Sequence, residues 1–253
     1  MLNTLYLYLV RGADDFLVFR TLSILSGITS LWLLSYIAKI EWGKTQSMLV
    51  LILAGSSYPL LLYFSEARGY ALAICMSLIV YIAFRRFHAD STNTSLVVFW
   101  LASCAGIMAH ATFLMVTITL LISGFTAKSY SGSGIQTSPI RRLLPHLPII
   151  GFFAWWYNFY LIDMEIGGGP IFSGNQLFGQ TAAFLLGFPD QPAGMLLAAA
   201  IFVITLFVGL RRLYQTRGNW QTFTGMLFLA PLFMLIASQS PFLYFRYFII
   251  CFP

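Results

Sequence analysis

The sequence SLVVFWLASCAGIMAHATFLMVTITLLISGF, residues 95–125, decides the fold of this chain, and it contains no Asp, Glu, Lys or Arg. One upright helix needs about 20 apolar residues to cross a membrane, and this stretch offers about 30. Arg85 and Arg86 precede it and Lys128 follows it. If both basic flanks face the same compartment, the stretch crosses twice and turns near residues 106–110.

The composition excludes a water-soluble globule. Hydrophobic residues make up 59% of the chain and charged residues 9%, with a mean hydropathy of +0.82, whereas soluble domains average about 25% charged residues. Only helices and closed barrels satisfy their backbone inside lipid. Barrel strands alternate apolar and polar residues, but these runs are apolar on every face. We therefore predict an all-α transmembrane helix bundle, not a cytosolic enzyme, a disordered chain or a disulfide-rich secreted module.

The apolar runs predict about eight spans and a truncated ninth. Two spans come from residues 95–125, and the others occupy residues 16–36, 47–63, 70–87, 147–161, 193–210 and 222–236. The ninth begins near Phe242 and stops at Pro253. We expect residues 1–253 to form a single transmembrane domain from a longer protein, lacking both ends, with residues 1–10 as the tail of an extracytoplasmic loop.

The predicted spans divide the charged residues between the two sides of the membrane. One side of the membrane receives ten basic and two acidic residues, and the other receives four basic and six acidic residues. Because basic residues accumulate on the cytoplasmic side, the first group is predicted to be cytoplasmic and the N-terminus external. This pattern indicates a multi-pass protein of the cell inner (plasma) membrane that contacts membrane lipid, and it argues against a nucleic-acid partner.

The cysteines offer no sign of a metal site or a disulfide. Cys75, Cys104 and Cys251 all lie within apolar runs, where cysteine behaves as a small hydrophobic residue. No pair of them has the spacing of metal ligands. We expect neither a metal nor a cofactor.

The predicted external face carries four arginines where basic residues should be scarce. Glu66 and Arg68 lie in a very short turn between two spans, so both are held near the membrane surface. Arg68 could bind the phosphate of a lipid bidentately through its planar guanidinium, or it could pair with Glu66 and stabilise the turn. Both interpretations stay open, as do a structural and a functional role for His110. Arg20 is either at the membrane boundary by snorkelling or in use at a site.

The turn also carries a family resemblance. The sequence Ser-Glu-Ala-Arg-Gly-Tyr at residues 65–70, preceded by Pro59, resembles the "P…S-x-E-A-R-x-Y-A-L" stretch of GT-C superfamily polytopic glycosyltransferases. These are the protein mannosyltransferase-like and aminoarabinose transferase-like enzymes. Residues 12–23 are similar to that family's entry into a span, residues 108–111 resemble its hairpin turn, and residues 246–247 resemble its late Arg-Tyr pair. The matches follow the family order along nearly the whole chain.

The resemblance implies an inverting transfer of one sugar from a polyprenyl-phosphate donor to an acceptor glycan, lipid or protein outside the cytoplasm. It assigns Arg68 and Arg246 to the donor phosphate and gives supporting roles to Glu66, Tyr70, His110 and Tyr247. A carboxylate must act as the general base, and family members place it in a first external loop. That loop is expected upstream of Met1, so Asp14 and Asp15 are not predicted to be the base.

Three other functions fit the composition. A transporter or lipid flippase would place ionisable residues at mid-membrane depth. A polymerase or ligase for lipid-linked polysaccharide would carry large external loops rich in Arg and His. An inactive gene fragment would need no working site at all.

Overall fold

A computed structural model of the protein describes residues 1–90, 92–126, 143–162, 174–215 and 220–232. Within these ranges the chain is helical and has no strand, which confirms the predicted all-α class. The α-helices are α1 (Leu2–Leu9), α2 (Phe16–Trp42), α3 (Lys44–Gly55), α4 (Tyr58–Ser65), α5 (Tyr70–Asp90), α6 (Asn93–Ala109), α7 (Leu114–Thr126), α8 (Leu147–Trp156), α9 (Gly174–Leu186), α10 (Pro192–Gln215) and α11 (Trp220–Thr224). Short 3₁₀ turns precede α7 and α8, and π-helical turns follow α8 and α11.

Helices α2 and α5 run side by side in the same direction and define the two ends of the bundle. Near the start of α2, the Ser23 hydroxyl donates to the carbonyl of Arg68, just before α5, at 3.4 Å. Near the end of both helices, Arg85 of α5 forms an ion pair with Glu41 of α2. We call these the Arg68 end and the Arg85 end.

The central apolar stretch forms α6, which runs antiparallel to α5, and α7, which runs parallel to α5. The end of α6 reaches the start of α5, because a Cβ added to Gly69 would lie 2.1 Å from the carbonyl oxygen of Ala109. The end of α7 lies at the far end of α5, because a Cβ added to Gly124 would lie 3.8 Å from Nε2 of His88. The chain therefore reverses at His110, whose backbone is extended (φ −156°, ψ 133°). This confirms the predicted turn.

The predicted span over residues 47–63 is not one straight helix. The chain forms α3 and α4 instead, with a bend of 63° between them. Proline has no N–H to bond the carbonyl four residues back and is tolerated only in the first turn of a helix. Pro59 lies in the first turn of α4, and Ser57 before that helix is extended (φ −69°, ψ 112°). The proline therefore ends one helix and starts the next.

Residues 1–10, which we expected to be the tail of an extracytoplasmic loop, contain the short helix α1. An isolated helix of this length is not stable in water, so tertiary contacts hold it. The Asn3 side chain donates to the carbonyl of Ala67 at 2.9 Å, and the Trp156 indole donates to the sulfur of Met1 at 2.9 Å. Helix α1 is thereby fixed at the Arg68 end.

Small side chains let the helices approach α5 closely. Ala71 and Ala73 of α5, Ser30 of α2 and Ser103 of α6 all have no exposed surface. Such residues are typical of helix contacts in membranes, where close van der Waals packing replaces the hydrophobic effect. Helix α5 is therefore the centre of the bundle, and its two ends are fixed relative to α2, α6 and α7.

Within the described part of the chain, three helices, α2, α5 and α10, are long and apolar enough to cross a membrane, and the bent pair α3–α4 adds a fourth span if it is one crossing. The apolar window of α10 is only 6% buried, against 56% for α5. Leu196 and Phe207 of α10 are 74% and 66% exposed. Large apolar surfaces of this kind mark membrane or protein contacts. Together with the helix lengths, they indicate membrane association.

Candidate functional site

The turn between α4 and α5 carries Glu66 and Arg68. The Arg68 N–H donates to the carbonyl of Glu66 at 2.8 Å, which closes a three-residue turn. Asn3 of α1 and Ser23 of α2 donate side-chain hydrogen bonds to the next two carbonyls of this turn. Polar groups from two other helices therefore hold the backbone on which the Arg68 side chain stands.

Gly69 lets this turn approach the end of α6. A Cβ at this position would lie 2.1 Å from the carbonyl oxygen of Ala109 and 3.0 Å from its carbon. Both are backbone atoms, which cannot turn aside as a flexible side chain can. Because His110 follows directly, the glycine sets the distance between the Arg68 turn and the hairpin turn.

Arg68 and Glu66 form a loose ion pair. Nε of Arg68 lies 3.6 Å from Oε2 of Glu66, and the two side chains are 54% and 30% exposed. An exposed pair of this kind contributes little stability. The Oε2 atom is buried and accepts no hydrogen bond within the described part of the chain. The carboxylate therefore lies beside the guanidinium, and the Arg68 side chain stays about half exposed.

The His110 ring is fixed in one orientation. Its Nδ1 accepts the N–H of Thr112 at 3.3 Å and lies 2.7 Å from the hydroxyl of the same residue. Since Nδ1 acts as an acceptor, the hydrogen-bond pattern places the proton of the neutral ring on Nε2. The imidazole can then donate a hydrogen bond from Nε2.

A row of aromatic rings supports His110. The ring centroids of His110 and Tyr70 are 4.4 Å apart, and those of Tyr70 and Tyr63 are 4.9 Å apart. Phe184 of α9 packs against Tyr63 at 6.1 Å. Tyr63 and Tyr70 are 3% and 4% exposed. Tyr70 therefore lies behind the histidine as a support, and its buried ring joins the start of α5 to the hairpin turn.

The structure brings together four of the six residues that the sequence singled out. Glu66, Arg68, Tyr70 and His110 all lie at the Arg68 end, at the adjoining boundaries of α4, α5 and α6. The other two, Arg246 and Tyr247, lie outside the described residues.

Three other charged residues near this end, Arg11, Arg20 and Asp15, have structural partners. The guanidinium of Arg11 lies 4.3 Å from the ring centre of Tyr8, and that of Arg20 lies 4.1 Å from the ring centre of Phe16. Asp15 caps α2 by accepting the Leu17 N–H at 2.8 Å. These contacts favour the structural interpretation of Arg20.

Sequence reasoning missed Asn3 and Ser23 as the residues that hold the Arg68 turn. Ser23 had a usable signal, since it is a hydroxyl in an apolar run just after Arg20. Asn3 had none, because it lies in a segment that was expected to be a loop. A metal is not suggested, since the described residues contain no group of three His, Cys, Asp or Glu side chains that could hold one.

Comparisons of the chain with protein-family models, with curated proteins and with solved structures found no match.

Proposed function

We propose that the protein is a membrane glycosyltransferase of the GT-C type. It moves a sugar from a polyprenyl-phosphate donor to an acceptor glycan, lipid or protein on the extracytoplasmic face of the cell inner (plasma) membrane. In this proposal the chain is multi-pass, with about eight spans and part of a ninth, and the Arg68 end faces outward.

The half-exposed side chain of Arg68 is the observation that carries this proposal. It stands on a backbone held by hydrogen bonds from two other helices, so that little ordering is needed when a ligand binds. A planar guanidinium binds phosphate bidentately. At the membrane boundary, the phosphate that such a group meets belongs to a lipid headgroup.

The placement of charge supports interfacial chemistry over transport. Among the described residues, every Lys, Arg, Asp and Glu lies in a loop or within about two turns of a helix end. A transport path would need ionisable groups at mid-membrane depth. The described charges gather instead where a lipid headgroup and a soluble acceptor can meet.

The chemistry assigns a separate role to each residue. As the bond from sugar to phosphate breaks, negative charge grows on the leaving phosphate, and Arg68 stabilises it. Glu66 orients Arg68, and His110 is held beside the Arg68 turn by Thr112 and Tyr70. The general base on the acceptor hydroxyl is not assigned to a residue of this chain.

The test measures binding of a polyprenyl phosphate to the detergent-solubilised protein by native mass spectrometry, together with sugar transfer from a radiolabelled polyprenyl-phosphate sugar. Arg68→Ala should weaken binding by about tenfold or more, because a charge-assisted hydrogen bond is lost. Arg68→Lys should recover only part of it.

Arg11→Ala is the matched control, since Arg11 is an exposed arginine at the same end. It should bind like the wild type. Wild-type binding by Arg68→Ala at normal expression would remove Arg68 from the site and with it the proposed function.

A further inference from the structure

A cavity of about 260 Å³ lies between α2, α5, α7 and the segment that begins with α11. Tyr81 of α5 and Phe223 of α11 line it, with their ring centres 6.2 Å apart. Phe223 also packs against Trp42, the last residue of α2. The cavity therefore extends to the Arg85 end, opposite the site described above.

The cavity offers a mainly apolar interior, because its polar side chains are bonded within the protein. The Ser77 hydroxyl donates to the carbonyl of Ile74 at 2.7 Å. The Thr222 hydroxyl is hydrogen-bonded to Ser123. An apolar cavity of about 150 Å³ takes up benzene and stays dry. This larger one suits a length of hydrocarbon chain.

An ion pair lies one helical turn beyond the residues of α2 and α5 that line the cavity. Ile37 and Glu41 are one turn apart on α2, and Tyr81 and Arg85 are one turn apart on α5. The Tyr81 hydroxyl donates to Glu41 at 3.0 Å, and Nη1 of Arg85 donates to the same carboxylate oxygen. The Arg85 side chain is 37% exposed, and a guanidinium has five N–H donors in all. A chain in the cavity would thus have a cationic group beside its polar end.

The charged side chains at the Arg85 end, which we call the basic rim, carry a net positive charge. Among the described residues, six basic and two acidic side chains lie at the Arg85 end, which gives a net charge of +4: Lys39, Lys44, Arg85, Arg86, Arg211 and Arg212 against Glu41 and Asp90. Arg86 is exposed and donates to the Tyr36 hydroxyl at 3.0 Å. Basic clusters at a membrane surface attract anionic headgroups.

We propose that the protein binds an anionic phospholipid in the leaflet at the Arg85 end, with one acyl chain in this cavity and its phosphate on Arg85. The cavity supplies the fit and the basic rim supplies the charge complementarity. This site is separate from the Arg68 end and does not depend on sugar transfer.

The experiment titrates the detergent-solubilised full chain with phosphatidylglycerol and with phosphatidylcholine of the same acyl length, and native mass spectrometry reports the bound lipid. Wild type should bind phosphatidylglycerol about tenfold or more tightly than phosphatidylcholine. The pair of substitutions Glu41→Gln and Arg85→Gln keeps the net charge unchanged and should remove most of this preference. Val116→Phe fills the cavity and should weaken binding of both lipids. If Val116→Phe fails to fold, Ser77→Leu fills the same cavity and should have the same effect.

The control is Arg11→Gln, which removes a positive charge at the opposite end and should leave binding unchanged. Equal binding of the two lipids by wild type would overturn the proposal. Complete displacement of phosphatidylglycerol by inorganic phosphate would also overturn it, because the site would then bind an anion and no acyl chain. If the preference for phosphatidylglycerol survives the Glu41/Arg85 pair of substitutions, it comes from general attraction by the basic rim and the phosphate does not bind Arg85. If the cavity-filling variants bind both lipids like the wild type, the acyl chain does not occupy the cavity.

Discussion

Gly69→Ala tests whether the close contact between the Arg68 turn and α6 holds the candidate site together. The added Cβ would start 2.1 Å from the carbonyl oxygen of Ala109, and an ordinary contact needs 3.4 Å or more. The two backbone segments must therefore separate by about 1.3 Å, the difference between these two distances. Forced overpacking of this kind costs about 1–3 kcal/mol.

A smaller effect acts in the opposite direction. Gly→Ala restricts the unfolded chain and stabilises a compatible site by about 0.4–1 kcal/mol. The net expectation is a loss of about 1–2 kcal/mol in the free energy of unfolding. Because the turn and His110 move apart, binding of polyprenyl phosphate should also weaken.

Denaturant unfolding in detergent measures the stability change, and native mass spectrometry measures the lipid. Gly12→Ala is the matched control, because it lies in a turn near the same end and a Cβ there would meet nothing within 4 Å. It should be neutral or slightly stabilising. A Gly69→Ala protein with wild-type stability and wild-type lipid binding would show that the contact does not constrain the site.

Three further predictions concern a helix cap, a buried histidine and the orientation of the chain. Asp15→Ala should cost about 1 kcal/mol of unfolding free energy, because Asp15 caps α2, while exposed Asp14→Ala should be neutral. Burial and the charge of His88 lower the pKa of His146 from 6.5 to about 4. The unfolded chain therefore binds the proton more tightly, so stability should be complete above pH 6.5 and fall by up to about 3 kcal/mol as the pH drops toward 4. A thermal unfolding series should show this loss in the wild type and not in His146→Phe. A cysteine at Asp14 should react with an impermeant maleimide from outside intact cells, and one at Lys44 only after permeabilisation.

Each of these predictions has a contradicting result. Equal unfolding midpoints for Asp15→Ala and Asp14→Ala would mean that the cap contributes nothing. A pH series with the same slope in the wild type and His146→Phe would assign the loss to other groups. External labelling at Lys44 would reverse the orientation and remove the proposed enzymology.

The helical class and the reversal at His110 could be predicted from the sequence because both depend on local features. An apolar run about 30 residues long without charge is too long for one crossing, and His110 interrupts it near its middle. The break at Pro59 also had a local cause in the missing N–H, although the prediction of a span over residues 47–63 did not include a bend. Helix α1 had no comparable signal, because its stability comes from contacts with Ala67 and Trp156.

The sequence by itself determined which residues carry charge, and the helix connections then gathered the described ones at two ends of the bundle. It also singled out Glu66, Arg68 and His110. Only the tertiary structure decided that Asn3 and Ser23 hold the Arg68 turn, that Tyr70 supports His110, and that a cavity lies one helical turn from the Glu41–Arg85 ion pair. Apolar run length and charge are properties of neighbours along the chain, whereas these contacts join residues on different helices. They depend on the rotation and approach of each helix, which small residues such as Gly69 set through packing.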